Sequence, residues 1–229
     1  MHNLLSPPSF DDLLRLLKAW RLWVLSALVG ALLGTALYAI APPPYRAQAT
    51  VVVDFNLEDA WPQEPDRRLF YYLERETRKL AEVAWADETL SEVAARVGGV
   101  SVSELRDGKL HLAQPQEGGW HFLADDADPA RAQQLAATWA QVFTERTQEG
   151  VLVALELKKL QEGGTCASDA ADLESRSLGI SPYIQVHASQ TADLPVGRRV
   201  AMGEYALVGA VTVAALAALG VLFVKREET

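Results

Sequence analysis

The sequence predicts an α+β membrane protein: two transmembrane helices flanking an extracytoplasmic α/β domain with a small mixed sheet and helices. Three observations carry this. Leu22 to Ala41 is a run of twenty residues without a charge. At about 1.5 Å rise per residue it spans roughly 30 Å, the hydrocarbon thickness of a bilayer. Tyr205 to Val224 is a second uncharged run of the same length. Between them, Pro42 to Glu204 alternates strand-like and helix-like patterns and is long enough to build one core. The expected organisation is a cytoplasmic amphipathic segment (1–21), a first span (22–41), the domain (42–204), a second span (205–224) and a cytoplasmic tail (225–229).

Charge sets the orientation and excludes one class of partner. The chain carries a net −9, the first 21 residues +1 and the last five none, so the middle segment carries −10. An acidic domain of this kind repels nucleic acid, which is discounted as a partner. Arg15, Lys18, Arg21, Lys225 and Arg226 at the ends outnumber Arg46, Arg198 and Arg199 beside the spans on the other side. This bias places both termini in the cytoplasm. Trp20, Trp23, Tyr45 and Tyr205 fall where interfacial aromatics are expected. Ala39-Ile40-Ala41 has the small-x-small form of a signal-peptide cleavage site. The run is longer than an ordinary signal core, Pro42 follows it directly, and a second span lies downstream, so a retained span is the reading. The single cysteine, Cys166, can form no intrachain disulfide and no cysteine-based metal site.

Within the first span, Gly30 and Gly34 form a GxxxG. In the second, Ala206, Ala210, Ala214 and Ala218 repeat every four residues. Small residues on one stripe let helices approach closely, within one chain or between chains. Residues 10–21 read as an amphipathic surface helix, or equally as the first turns of the span. Pro42 to Pro44 stop the first helix. The β-branched run Thr50 to Val53 marks a strand over about 46–55, and 56–65 is a proline-bearing loop. Asp66 caps a helix to about Trp85 with Leu69, Phe70, Leu73, Thr77, Leu80 and Val83 apolar and Glu74, Arg75, Glu76, Arg78 and Lys79 on a solvated face. Asp87 restarts a helix that Gly98-Gly99 ends. Val100 to Arg106 reads as an edge segment or turn, and 109–114 with 119–124 as a hairpin turning at 115–118. Asp128 as N-cap with Pro129 behind it starts a helix. Whether that helix breaks at Gly150 or runs unbroken from 129 to 160, long and projecting, is open at this stage. Residues 163–177 read as a loop, 183–188 as a strand, and Pro195 as part of a stiff connector.

Catalytic constellations are sparse. His111 and His121 fall nearly opposite in the hairpin with Asp125 and Asp126 nearby, a set that in principle suits zinc. Two half-exposed strand histidines account for them more simply. Asp125, Asp126 and Asp128 fit an N-cap with acidic neighbours at a positive helix end better than a cation site. There is no HExxH, no GxSxG and no GxxxxGK[ST]. No catalytic, cofactor-binding or metal-binding residue is assigned and no cofactor is expected. Among six tryptophans, Trp85 and Trp139 fit helix cores, leaving Trp61 and Trp120 as candidate glycan contacts.

Four local features resemble one family. They are Pro44-Tyr45-Arg-Ala-Gln-Ala-Thr-Val-Val-Val53 after the first span, the helix start Asp128-Pro129-x-x-Ala132, the last strand Ile184-Gln-Val-His-Ala188, and a proline connector before the second span. In this order they resemble the polysaccharide chain-length determinants, the Wzz-type polysaccharide co-polymerases, in a short form without a kinase domain. The family's repeated-proline connector is reduced here to Pro195 and its helical arm is short. The resemblance implies a non-enzymatic inner-membrane scaffold, a homo-oligomeric ring, that regulates the length of a lipid-linked cell-surface polysaccharide: O-antigen, capsule or exopolysaccharide. Its implied partners are further copies of itself, a membrane polysaccharide polymerase, the lipid-linked glycan and membrane lipids. Gly30, Gly34, Ala210 and Ala214 are the candidate packing residues. The alternative is a transmembrane adaptor that activates a separate cytoplasmic tyrosine kinase in polysaccharide synthesis.

Overall fold

The computed structural model describes residues 18–60, 66–113, 119–162 and 167–224. In chain order the elements are α1 (Trp20–Ile40), β1 (Tyr45–Asp54), α2 (Leu57–Ala60), α3 (Asp66–Trp85), α4 (Asp87–Val97) and α5 (Val102–Glu104). A single π-helical turn, Leu105–Lys109, leads on to β2 (Leu110–Ala113) and β3 (Gly119–Asp126). Then come α6 (Pro129–Glu162), α7 (Ala167–Arg176), β4 (Gln185–Gln190) and α8 (Met202–Val224). The chain divides into two compact units, the helix pair (1–43 with 197–229) and the domain (44–196).

Both α1 and α8 are long and apolar enough to cross a membrane. Each is mostly exposed, with Leu25, Leu28, Leu32, Leu207, Val211 and Leu216 among the large apolar side chains facing outward. That is the pattern of a helix whose surroundings are apolar, since in water such surface would be turned inward.

The domain is a four-stranded sheet in the order β2-β3-β1-β4 with helices on one side. Every pairing is antiparallel, where the sequence had predicted a mixed sheet. Strand alternation divides the faces: Ala47, Ala49, Val51 and Val53 of β1 and Trp120, Phe122 and Ala124 of β3 are buried. The main core lies between that face and α6, where Phe122 meets Trp139 at 4.8 Å edge to face and Phe143 at 5.0 Å. The indole of Trp139 donates to the Ala84 carbonyl at 2.9 Å, so the largest buried ring also satisfies its one donor.

Several elements differ from expectation. The segment after Ser101 is helical: Ser101 and Glu104 form a reciprocal capping box, and the π turn carries the chain into β2. Residues 167–176 form α7, which buries Leu173 at 7% exposure, where a loop had been expected. The helix from Pro129 is unbroken through Gly150 to Glu162, 34 residues and about 51 Å long. Its start is the expected one, with the Ala130 N–H donating to Asp128 Oδ1 at 3.1 Å. Gly150 is no break because it is a contact: a Cβ there would lie 3.0 Å from Ile180 Cδ1 and 3.2 Å from the Ser177 carbonyl oxygen.

Candidate functional site

The helix pair is held by a seam of small residues. On α1 the buried positions are Gly30 and Gly34. The less exposed stripe on α8 recurs every four residues, through Ala206, Ala210 and Ala214. A Cβ built on Gly30 would overlap the Gly209 carbonyl and lie 2.9 Å from Ala210 Cα; one built on Gly34 would overlap the Tyr205 carbonyl and lie 3.2 Å from Ala206 Cα. Backbone therefore meets backbone, which only glycine permits here. The seam lies within one chain. Gly209, which the alanine spacing did not single out, is the reciprocal member, its Cβ position overlapping the Gly30 carbonyl. Tyr38 and Tyr205 close one end, ring to ring at 5.4 Å. At the same end Arg198 Nη1 donates to the Pro43 carbonyl at 2.7 Å.

In the domain, the sheet face away from the helices carries Arg46, Gln48, Thr50, Val52 and Asp54 on β1. Pairing places His121 of β3 beside Thr50, and His187 of β4 beside Val52. His111 pairs with Leu123 and His121 with Ala113, so the two hairpin histidines are diagonal and not directly opposite. Each joins its own polar group. His121 Nδ1 lies 3.0 Å from both Gln48 Nε2 and Thr50 Oγ1. His111 Nε2 lies 3.4 Å from Asp125 Oδ2. Among the described residues no three His, Cys, Asp or Glu side chains converge on a possible metal position.

The acidic run is more deeply built in than an N-cap neighbourhood requires. Asp125, 5% exposed, takes two hydrogen bonds from its cross-strand partner Arg46, from Nε at 2.6 Å and Nη2 at 2.7 Å. That hydrogen bond raises the Arg46 pKa further, against the opposing effect of burial. Asp126 is buried too, bonded by Lys109 Nζ and by the Asp128 N–H at 3.0 Å. Burial pushes its carboxyl up, but the hydrogen bonds from Lys109 and Asp128 and the charges of Lys109 and Arg131 prevail and hold it below the ordinary range. Glu76 corrects the expected solvated face of α3. It is fully buried and accepts from Arg75 Nε at 2.9 Å, Lys79 Nζ at 3.0 Å and the Ser181 N–H at 3.0 Å.

Trp120 is not available to a ligand. It is 5% exposed and stacks on Phe143 at 5.6 Å. Alternation had the information, since Trp120, Phe122 and Ala124 share one strand face. Trp61, Cys166, residues 10–17 of the amphipathic segment, the turn 115–118 and the tail 225–229 lie outside the described residues.

No family model matches the sequence, and no curated protein matches it. Among solved structures, the chain is similar to a fragment of WzzB, the polysaccharide co-polymerase from Salmonella Typhimurium, at 15% sequence identity over 69% of this chain and 99% of that one, with a TM-score of 0.28. A score this low carries no argument about fold.

Proposed function

We propose that this chain is a non-enzymatic inner-membrane scaffold that regulates the chain length of a lipid-linked cell-surface polysaccharide. In this reading α1 and α8 cross the membrane as one antiparallel pair, both termini are cytoplasmic, and the domain self-associates into a ring beside a membrane polymerase. The observation that carries it is the arrangement of the ends. Two apolar helices share a glycine seam, and β1 and β4, the strands next to them in sequence, are neighbours in one sheet. The segments Pro44–Val53, Asp128–Ala132 and Ile184–Ala188 that resemble the chain-length determinants fall in or beside β1, the start of α6, and β4. Deleting the gene is expected to alter the length distribution of surface glycan on a gel, with total sugar content little changed. An unaltered distribution refutes the reading.

A further inference from the structure

We infer that a groove beside the α1–α8 seam is a site for one phospholipid with a primary amine in its head, the ammonium meeting Glu204 and an acyl chain lying along the groove. The cavity measures about 430 Å³, within the roughly 300–1,000 Å³ of small-molecule sites. The seam itself is backbone against backbone, so the larger side chains stand on its flanks. On this flank Leu33 and Leu37 of α1 line one side, Val208 and Thr212 of α8 the other, with buried Gly34 between them. From Glu204 to Val213 the lining follows α8 for about 14 Å at 1.5 Å per residue.

The groove is apolar along most of its length and has one carboxylate, Glu204, at an end. Glu204 stands in the first turn of α8, and the twenty residues after it carry no charge. Its carboxylate is exposed, and among the described residues it has neither a hydrogen bond nor an ion pair. The positive end of the helix tolerates a negative charge there. It does not supply the cation that a carboxylate needs where water gives way to hydrocarbon.

Charge and donors select the head. Every phospholipid brings an acyl chain and a phosphate, and the phosphate meets the same nearby cations, Arg198 and Arg199, whatever it is esterified to. The head group is what differs. Ethanolamine adds a positive charge and three N–H donors, which a carboxylate accepts at full strength. Choline adds the charge without a donor. Glycerol adds neither and leaves a net anion facing Glu204, which like charge disfavours. A transmembrane helix of another chain fits less well, because with its side chains it is about 10–12 Å across, too wide to enter a groove of this volume.

This inference rests on the reading of α1 and α8 as spans, and the test separates the two. Full-length protein in detergent is mixed with equal amounts of dioleoyl phosphatidylethanolamine, phosphatidylcholine and phosphatidylglycerol, and retained lipid is counted by native mass spectrometry. The ethanolamine lipid is expected to be retained about fivefold over each of the others, a difference of about 1 kcal/mol. Glu204→Gln is expected to abolish that preference with a melting temperature close to the parent's. Val208→Trp, at a position 62% exposed, fills the groove and lowers retention of all three lipids. Leu25→Trp, at a position 64% exposed on the outer face of α1, does not. Equal retention of the three heads, a Glu204→Gln variant that keeps the preference, or a Leu25→Trp variant as weak as Val208→Trp overturns the site. So does a Glu204→Gln variant that changes the number of chains per particle but not lipid retention, since the groove then seats a second chain. Release of the protein from membranes by alkaline carbonate overturns the spans and the site together. A chain that stays in the membrane fraction but retains all three lipids equally loses the site alone.

Discussion

Glu76 sits on a helix otherwise rich in exposed charge, yet none of its surface reaches water. Its three donors come from α3 and from the turn at Ser181, so the carboxylate ties two parts of the chain 105 residues apart. Glu76→Ala leaves the Ser181 N–H and Lys79 without their acceptor and is expected to cost about 1–3 kcal/mol, read as a lower melting temperature of the full chain. Glu74→Ala on the exposed side of the same helix stays within about 0.5 kcal/mol. Spacing could have revealed the difference: Glu76 lies three residues after Leu73 and four before Leu80, on the apolar stripe, but an apolar count passes over a carboxylate. Asp126 gives a pH signature. Its carboxyl is held below the ordinary range in the folded chain, so the stability it contributes is complete above the unfolded value of about 3.9. That stability is lost as pH falls through the lower folded value. Asp126→Asn is therefore expected to lower stability at pH 7 and to flatten its fall below about pH 4, measured by unfolding at stepped pH.

At the scale of elements, boundaries were legible wherever caps and periodicity agreed. The ranges 66–85 and 87–97 are those the sequence predicted, because Asp66, Asp87 and the positive-φ Gly98 punctuate strongly amphipathic stretches. The helix 167–176 was not legible: its apolar stripe is built of alanines and the single Leu173 among small, polar residues that read as a loop, and packing against α6 through buried Leu173 supplies what local sequence lacks. Gly150 misled for the opposite reason, since its local cost in a helix is outweighed by the close approach of Ile180 and Ser177 that it permits. Gly150→Leu is expected to destabilise the domain by about 1–3 kcal/mol through overpacking, seen as a lower denaturation midpoint. In the helix pair, Gly34→Leu places a side chain where the Tyr205 carbonyl lies and is expected to separate α1 from α8. The check is thermal stability in detergent, with Leu32→Ala, 69% exposed and away from the seam, as the neutral comparison.

For the whole molecule, the sequence showed two apolar ends around one acidic domain, and the structure divides the chain at nearly those places. Hydropathy needs only composition, so that level was the easiest to read. Which groups of the domain meet was harder, because it depends on register: His111 lies opposite Leu123, two residues along β3 from His121. The topology makes its own prediction. Protease added to spheroplasts is expected to digest the domain and leave α1 and α8 protected by lipid; full resistance of the domain would reverse the proposed orientation. One further detail bears on how such chains behave when crowded. β4 is the last strand of the sheet, and Gln148 of α6 donates its side-chain amide to the Val186 carbonyl there at 3.1 Å. That amide ties the last strand of the sheet to α6 and occupies one of its backbone acceptors. In the membrane setting proposed above, where copies of the chain would meet often, one acceptor on β4 already in use leaves one fewer group for a second strand to pair with.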